Sequence, residues 1–124
     1  MSGRFFVGTD ITEVARIRKS AEKQRFVERV YSPEERALFS AKRDPAESMA
    51  ANWAAKEAFS KALGTGVRGF ELYEVACLRD ELGQPFFRLS GKAAEIVRER
   101  GLELSVSLSH TKEYATAVVI AYAG

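Results

Sequence analysis

A chain of 124 residues with 46% hydrophobic and 29% charged side chains carries apolar material for one core, so residues 1–124 read as a single domain. A formal charge of +2 is too small to argue for nucleic acid, and no apolar run nears the roughly 20 residues that cross a bilayer. Residues Met1 to Val7 lack the apolar stretch and cleavage site of a signal peptide, and the one cysteine, Cys77, fits a reducing cytoplasm and an ordinary buried thiol.

Phe5-Phe6-Val7-Gly8 has strand character, with Asp10 expected at the strand's end and Gly8 suited to a bulge or a close backbone approach. Asp10 has two readings. It caps the next helix in a D-x-x-E box with Glu13, which the spacing favours, or it aims at a metal. Val14, Ile17 and Ala21 form that helix's buried stripe. The segment Lys19 to Arg29 is predicted helical. Across it Arg16, Arg18, Lys19, Lys23, Arg25 and Arg29 meet only Glu22 and Glu28, a basic bias that suits a solvated face or an acidic protein partner.

Ser32-Pro33-Glu34-Glu35 is a capping box with proline at the first helical position and opens a helix to about Lys42. Glu35 either completes the box or supports a metal site. Asp44-Pro45-Ala46-Glu47 repeats the signal, predicting a helix from about Pro45 to Leu63. At 100° per residue, Ala51, Ala55, Ala58, Phe59, Ala62 and Leu63 share one face that Met49 and Trp53 widen, so the helix is largely buried. Glu57 and Lys61 stand one turn apart beside the small Ala50 and Ala54. They are a surface ion pair worth about 0.3–0.5 kcal/mol, the reading the spacing favours, or the edge of a ligand groove. Gly64-Thr65-Gly66 is a helix stop or a bare backbone that lets a phosphate approach.

Alternation at Val75, Cys77 and Arg79, a turn through Asp80 to Pro85, and Phe86 to Leu89 predict a β-hairpin. Ser90 is a candidate cap for a helix over 91–100 that Gly101 ends. Leu102, Leu104, Val106 and Leu108 alternate with Glu103 and serines as a half-buried strand, and Tyr114 to Tyr122 reads as another. Between them lies His110, the only histidine. Beside Thr111 and Lys112 it is a polar turn residue or an anion contact.

The order Gly8-Thr9-Asp10-Ile11, then Arg29-Val30-Tyr31-Ser32-Pro33-Glu34-Glu35, then Trp53-Ala54-Ala55-Lys56-Glu57-Ala58-Phe59-Ser60-Lys61-Ala62, then Ser107-Leu108-Ser109-His110-Thr111-Lys112-Glu113-Tyr114-Ala115 resembles the bacterial holo-[acyl-carrier-protein] synthases over essentially the whole chain. The resemblance implies a phosphopantetheinyl transferase-like α+β fold, with three helices in the first half packed on a mainly antiparallel sheet from the second. It implies transfer of the phosphopantetheine arm of coenzyme A to a serine of apo-acyl carrier protein, with magnesium, in fatty acid biosynthesis, by a cytoplasmic homotrimer with active sites at its interfaces.

On that pattern Asp10 and Glu57 hold the magnesium and Lys61 offsets charge on the leaving nucleotide. Gly64, Gly66, His110 and Thr111 lie along coenzyme A with Lys61, and Arg16 and Arg25 receive the carrier protein. The proton of the serine goes to Glu57 through a water or to His110, with Glu57 preferred. Two positions depart from the pattern: Asn52 precedes Trp53 where many members carry an arginine, and Ser32 replaces a common threonine without losing the hydroxyl. A module that binds coenzyme A or a carrier protein without chemistry has no need of Asp10, Glu57 and Lys61 together. A nucleic-acid-binding domain would bind with strong salt dependence, and charge argues against it.

Overall fold

The computed structural model describes residues 3–124. It is α+β: β1 (Arg4–Glu13), α1 (Val14–Ser20), α2 (Gln24–Val30), α3 (Pro33–Ser40), α4 (Ala46–Leu63), a 3-10 turn (Leu72–Glu74), β2 (Val75–Arg79), β3 (Pro85–Leu89), α5 (Gly91–Glu99), β4 (Leu102–His110) and β5 (Tyr114–Ala123). β1 joins the two C-terminal strands in an antiparallel sheet of order β1-β5-β4, while β2 and β3 pair separately. No helix among the described residues is long and apolar enough to cross a membrane.

Several local readings are corrected. Among the described residues the first half holds four helices, because Lys19 to Arg29 breaks at 21–23, where Glu22 N–H donates to Lys19 O and Lys23 N–H to Ser20 O as tight turns. Asp10 lies inside β1, and the helix after it starts without a side-chain cap, its N-cap being Glu13. The box at Asp44 is half formed. Asp44 accepts from Ala46 N–H at 3.2 Å, while Glu47 turns elsewhere and the helix starts at Ala46. Ser90 makes no side-chain cap either; Glu74 reaches over to accept from Ala93 N–H at 3.2 Å. The Ser32 box forms in full, with Glu35 N–H donating to Ser32 Oγ at 3.1 Å and Ser32 N–H to Glu35 Oε1 at 2.9 Å.

Strand periodicity sends Phe6, Gly8, Asp10 and Thr12 of β1 inward, with Ala115, Ala117, Val119 and Ala121 of β5, onto one side of α4. That side is built from Ala54, Ala55, Ala58 and Ala62, all buried, so backbones approach closely. At Gly8 the approach is at its limit: a Cβ there would sit 2.0 Å from Ala58 O and 2.6 Å from Ala62 N. At its C-terminal end α4 stops on Gly64 in the left-handed region at φ 81°, and Arg100 donates to Leu63 O at 2.9 Å. The N-terminal half packs on α1 to α3 through Val14, Ile17, Tyr31, Phe39 and Met49.

On the opposite face of the sheet β1 and β5 leave an exposed apolar strip, while β4 presents Glu103 and serines there. Phe5 is 74% exposed, and Val7 and Ile11 on β1 stand near Ile120 and Val118 of β5 in the register. This is a contiguous patch of the kind that marks an interface.

Gly8→Ala should destabilise the protein by about 1–3 kcal/mol, because the obstructing atoms are helix backbone that cannot rotate away. Urea denaturation measures it, and a change below about 0.5 kcal/mol, the scale of a neutral surface substitution, would disprove so close a crossing.

Candidate active site

Two residues beyond Gly8 on the same face, Asp10 arrives against the outer flank of α4. Thr12, nearly fully buried, donates its hydroxyl to Asp10 Oδ2 at 2.6 Å, which fixes the carboxylate's rotation. Lys61 Nζ donates to Thr9 O at 3.0 Å and reaches Asp10 Oδ1 at 3.5 Å. Glu57 lies one turn before Lys61. Partial burial pushes its pKa up, the Asp10 charge adds to that rise, and Lys61 and Arg16 oppose it. Asp10, Glu57, Lys61 and Arg16 therefore form one electrostatic cluster. Among the described residues no three His, Cys, Asp or Glu side chains group as a metal site.

Trp53 precedes Glu57 by one turn. The Arg16 guanidinium lies 5.5 Å from the Trp53 ring, and Phe26 stacks on it at 5.7 Å. Beside them opens a cavity of about 480 Å³, lined by Phe26, Val30, Trp53, Val67 and Leu72 and edged by Lys23, Arg25 and Arg29 with Glu71 as the one acidic group. The basic segment thus rims an apolar pocket one helical turn from Glu57, with Arg25 on the rim and Arg16 between pocket and carboxylates.

On the inner side of α4 lies a network that the motif reading missed. Lys56, fully buried, donates to Glu35 Oε1 at 2.7 Å, Leu72 O at 3.0 Å and Val75 O at 2.8 Å. Glu35 also accepts from Asn52 Nδ2 at 2.9 Å and Cys77 N–H at 3.3 Å, and Arg79 donates to Asn52 Oδ1 at 2.8 Å. Burial pulls the Lys56 ammonium below its usual pKa, an effect the Glu35 charge opposes, and pushes the Cys77 thiol up to about 11. Glu35 consequently faces no metal site: it is a core group, 0% exposed. Asn52 is core as well and bound on both sides of its amide, so it reaches no ligand. The available signal was Lys56 itself, a charge inside a helix otherwise read as largely buried.

His110 and Thr111 sit elsewhere. His110 ends β4 on its inward face and its Nδ1 lies 2.8 Å from Glu47 Oε1, at the start of α4. At about 1.5 Å of rise per residue, Glu47 is about 15 Å from Glu57 and about 25 Å from Gly64 along the axis. Thr111 Oγ1 accepts from Glu113 N–H and Tyr114 N–H at 3.2 and 3.1 Å and so builds the β4–β5 turn. Gly64 and Gly66, at φ 81° and 66°, leave open space where side chains would be. One copy of the chain therefore joins Asp10, Glu57 and Lys61 near Gly64 and Gly66, and holds His110 and Thr111 at the other end of the helix.

Comparison with known proteins sets this geometry in context. The 4'-phosphopantetheinyl transferase superfamily matches residues 6–119. A holo-[acyl-carrier-protein] synthase of Caldanaerobacter subterraneus subsp. tengcongensis is 45% identical over 121 residues, covering 96% of this chain and 95% of the relative. The crystal structure of the synthase from Neisseria meningitidis superposes with a TM-score of 0.86 at 35% identity, covering 94% of this chain and 96% of that one. The Helicobacter pylori synthase in complex with coenzyme A does so with a TM-score of 0.80 at 34% identity, covering 93% and 98%.

The buried pair is open to direct measurement. Lys56→Met should destabilise by about 3–5 kcal/mol, since it strands a buried carboxylate, and by distinctly less in a Glu35→Gln background. Equal losses in the two backgrounds, read by urea denaturation, would mean that the pair is not coupled.

Proposed function

The chain belongs to the holo-[acyl-carrier-protein] synthases of the 4'-phosphopantetheinyl transferase superfamily, and from that premise we propose that residues 1–124, acting as a single domain, transfer the phosphopantetheine arm of coenzyme A to a serine of apo-acyl carrier protein, with magnesium, for fatty acid biosynthesis in the cytoplasm. The observation that carries the reading is the meeting of Asp10, Glu57 and Lys61 beside the Trp53 pocket.

Two converging carboxylates of one sign fit a hard cation, and magnesium is commonly held by one or two carboxylates with water and phosphate filling its shell. Bound to Asp10 and Glu57, magnesium supplies charge neutralisation at the diphosphate of coenzyme A. The serine oxygen attacks the phosphorus that bears the pantetheine arm. The bond from that phosphorus to the bridging oxygen breaks, and its electron pair leaves with adenosine 3',5'-bisphosphate. Lys61, half-exposed and free to swing from Thr9 O, meets the charge that develops there. Glu57 takes the serine proton through a water; within one subunit His110, bound to Glu47 at the start of α4, lies far from that carboxylate, so the alternative acceptor is a neighbour's His110.

The pocket edged by Arg25, Lys23 and Arg29 suits an acidic carrier protein, with Phe26 and Trp53 as apolar anchors next to Arg16. The family resemblance implies a homotrimer in which one subunit's Lys61, Gly64 and Gly66 and a neighbour's His110 and Thr111 share one coenzyme A, and the exposed apolar residues of β1 and β5 offer surface for self-association.

Apo-acyl carrier protein incubated with this chain, coenzyme A and magnesium should gain the mass of one phosphopantetheine in intact-protein mass spectrometry. Glu57→Gln and a chelator should each abolish the gain; near-normal turnover by Glu57→Gln at saturating magnesium would remove both of its roles. Sedimentation at micromolar concentration should give a trimer, and a monomer would end the shared-site account.

A further inference from the structure

Glu47 has no part in the chemistry above, and it does not cap its own helix. It stands on the first turn of α4 and its Oε1 lies 2.8 Å from Nδ1 of His110, 63 residues later. Strand alternation turns His110 toward α4, so the ring is presented to this carboxylate by the fold and not by a flexible loop. An ionised carboxylate has acceptors only, so Nδ1 carries the hydrogen, and the bond made by one ring nitrogen fixes what the other can do. Nε2 has no hydrogen-bond partner among the described residues. With the His110 and Glu47 side chains 45% and 40% exposed, an ion pair here adds little stability, which leaves orientation as its main consequence.

We propose that Glu47 is a positioning residue: it holds the His110 ring with Nδ1–H toward α4 and turns Nε2 outward to meet a phosphate-bearing ligand. The ligand half of this inference rests on the reading of His110 as a coenzyme A contact. Protonated, Nε2 donates to a phosphate oxygen along a direction already set before binding, so no ring rotation has to be frozen when the ligand arrives.

The single histidine makes the test clean, since long-range proton–nitrogen NMR of the ring reports this one residue. In the parent chain, at a pH where the ring is neutral, Nδ1 should carry the hydrogen. Glu47→Ala should shift the hydrogen toward Nε2, and Glu47→Gln, which keeps an acceptor, should restore the parent pattern. By calorimetry Glu47→Ala should weaken coenzyme A binding about threefold to tenfold, the worth of one oriented hydrogen bond, and should add nothing in a His110→Ala background. An unchanged Nδ1 signature in Glu47→Ala, or an equal loss of affinity without the histidine, overturns the inference. Unchanged affinity in His110→Ala overturns instead the reading on which its ligand half rests, because the NMR arm needs no coenzyme A.

Discussion

The contact of backbone with backbone where β1 crosses α4 is the constraint on which the rest depends. Gly8 lets the strand sit against Ala58 and Ala62, and the pleat then delivers Asp10, two residues on, to the flank of the helix that carries Glu57 and Lys61. A strand held off by even one methyl would carry Asp10 away with it. The alanines on the facing side of α4 serve the same end, and they do so by giving up apolar area, since each buries far less than a leucine.

Some other interaction must then fix how α4 is turned about its axis, because a smooth alanine surface slides easily. Lys56 does this. Consecutive helical residues point 100° apart, so anchoring the Lys56 ammonium to Glu35 and to the carbonyls of Leu72 and Val75 commits Glu57 to the Asp10 side. A buried ion pair seldom stabilises more than apolar packing of equal volume, and its best-attested use is to specify one arrangement. Here every donor of Lys56 is matched, and the same loop backbone it grips leads to the wall of the apolar pocket, so the pair sets helix rotation and pocket shape together.

What the sequence disclosed follows from how local each feature is. The Ser32 box, the length of α4, the β2–β3 hairpin and the alternation of β4 depend on neighbours within a few residues, and all formed as read. The break at 21–23 carries no glycine or proline to announce it, and the helix beyond it delivers Val30 and Tyr31 to the core. Glu47 and Glu35 both fit capping boxes, yet only Glu35 closes one, since Glu47 has His110 as a partner across the fold. Lys56 stood in plain view in the motif. Its burial depends on Glu35, 21 residues earlier, and on carbonyls 16 and 19 residues later, which no local pattern encodes. The same non-locality separated the sheet into two, because β1 finds its partner in β5 at the far end of the chain.

The spread of the candidate contacts along α4 carries the last step. An 18-residue helix is about 27 Å long, and the chain sets Glu57, Lys61 and Gly64 toward one end and Glu47 with His110 at the other. A ligand that touched both sets within one copy would have to run most of the helix's length. If one end meets the opposite end of a second copy, the pocket stays open for a protein partner and both sets converge on one ligand. The exposed apolar strip of β1 and β5, where Val7 pairs with Ile120 and Phe5, Ile11 and Val118 lie nearby, supplies surface for such an arrangement. Within one chain the two sets of contacts thus stay apart, and the ground beside Glu57 and Trp53 is left open.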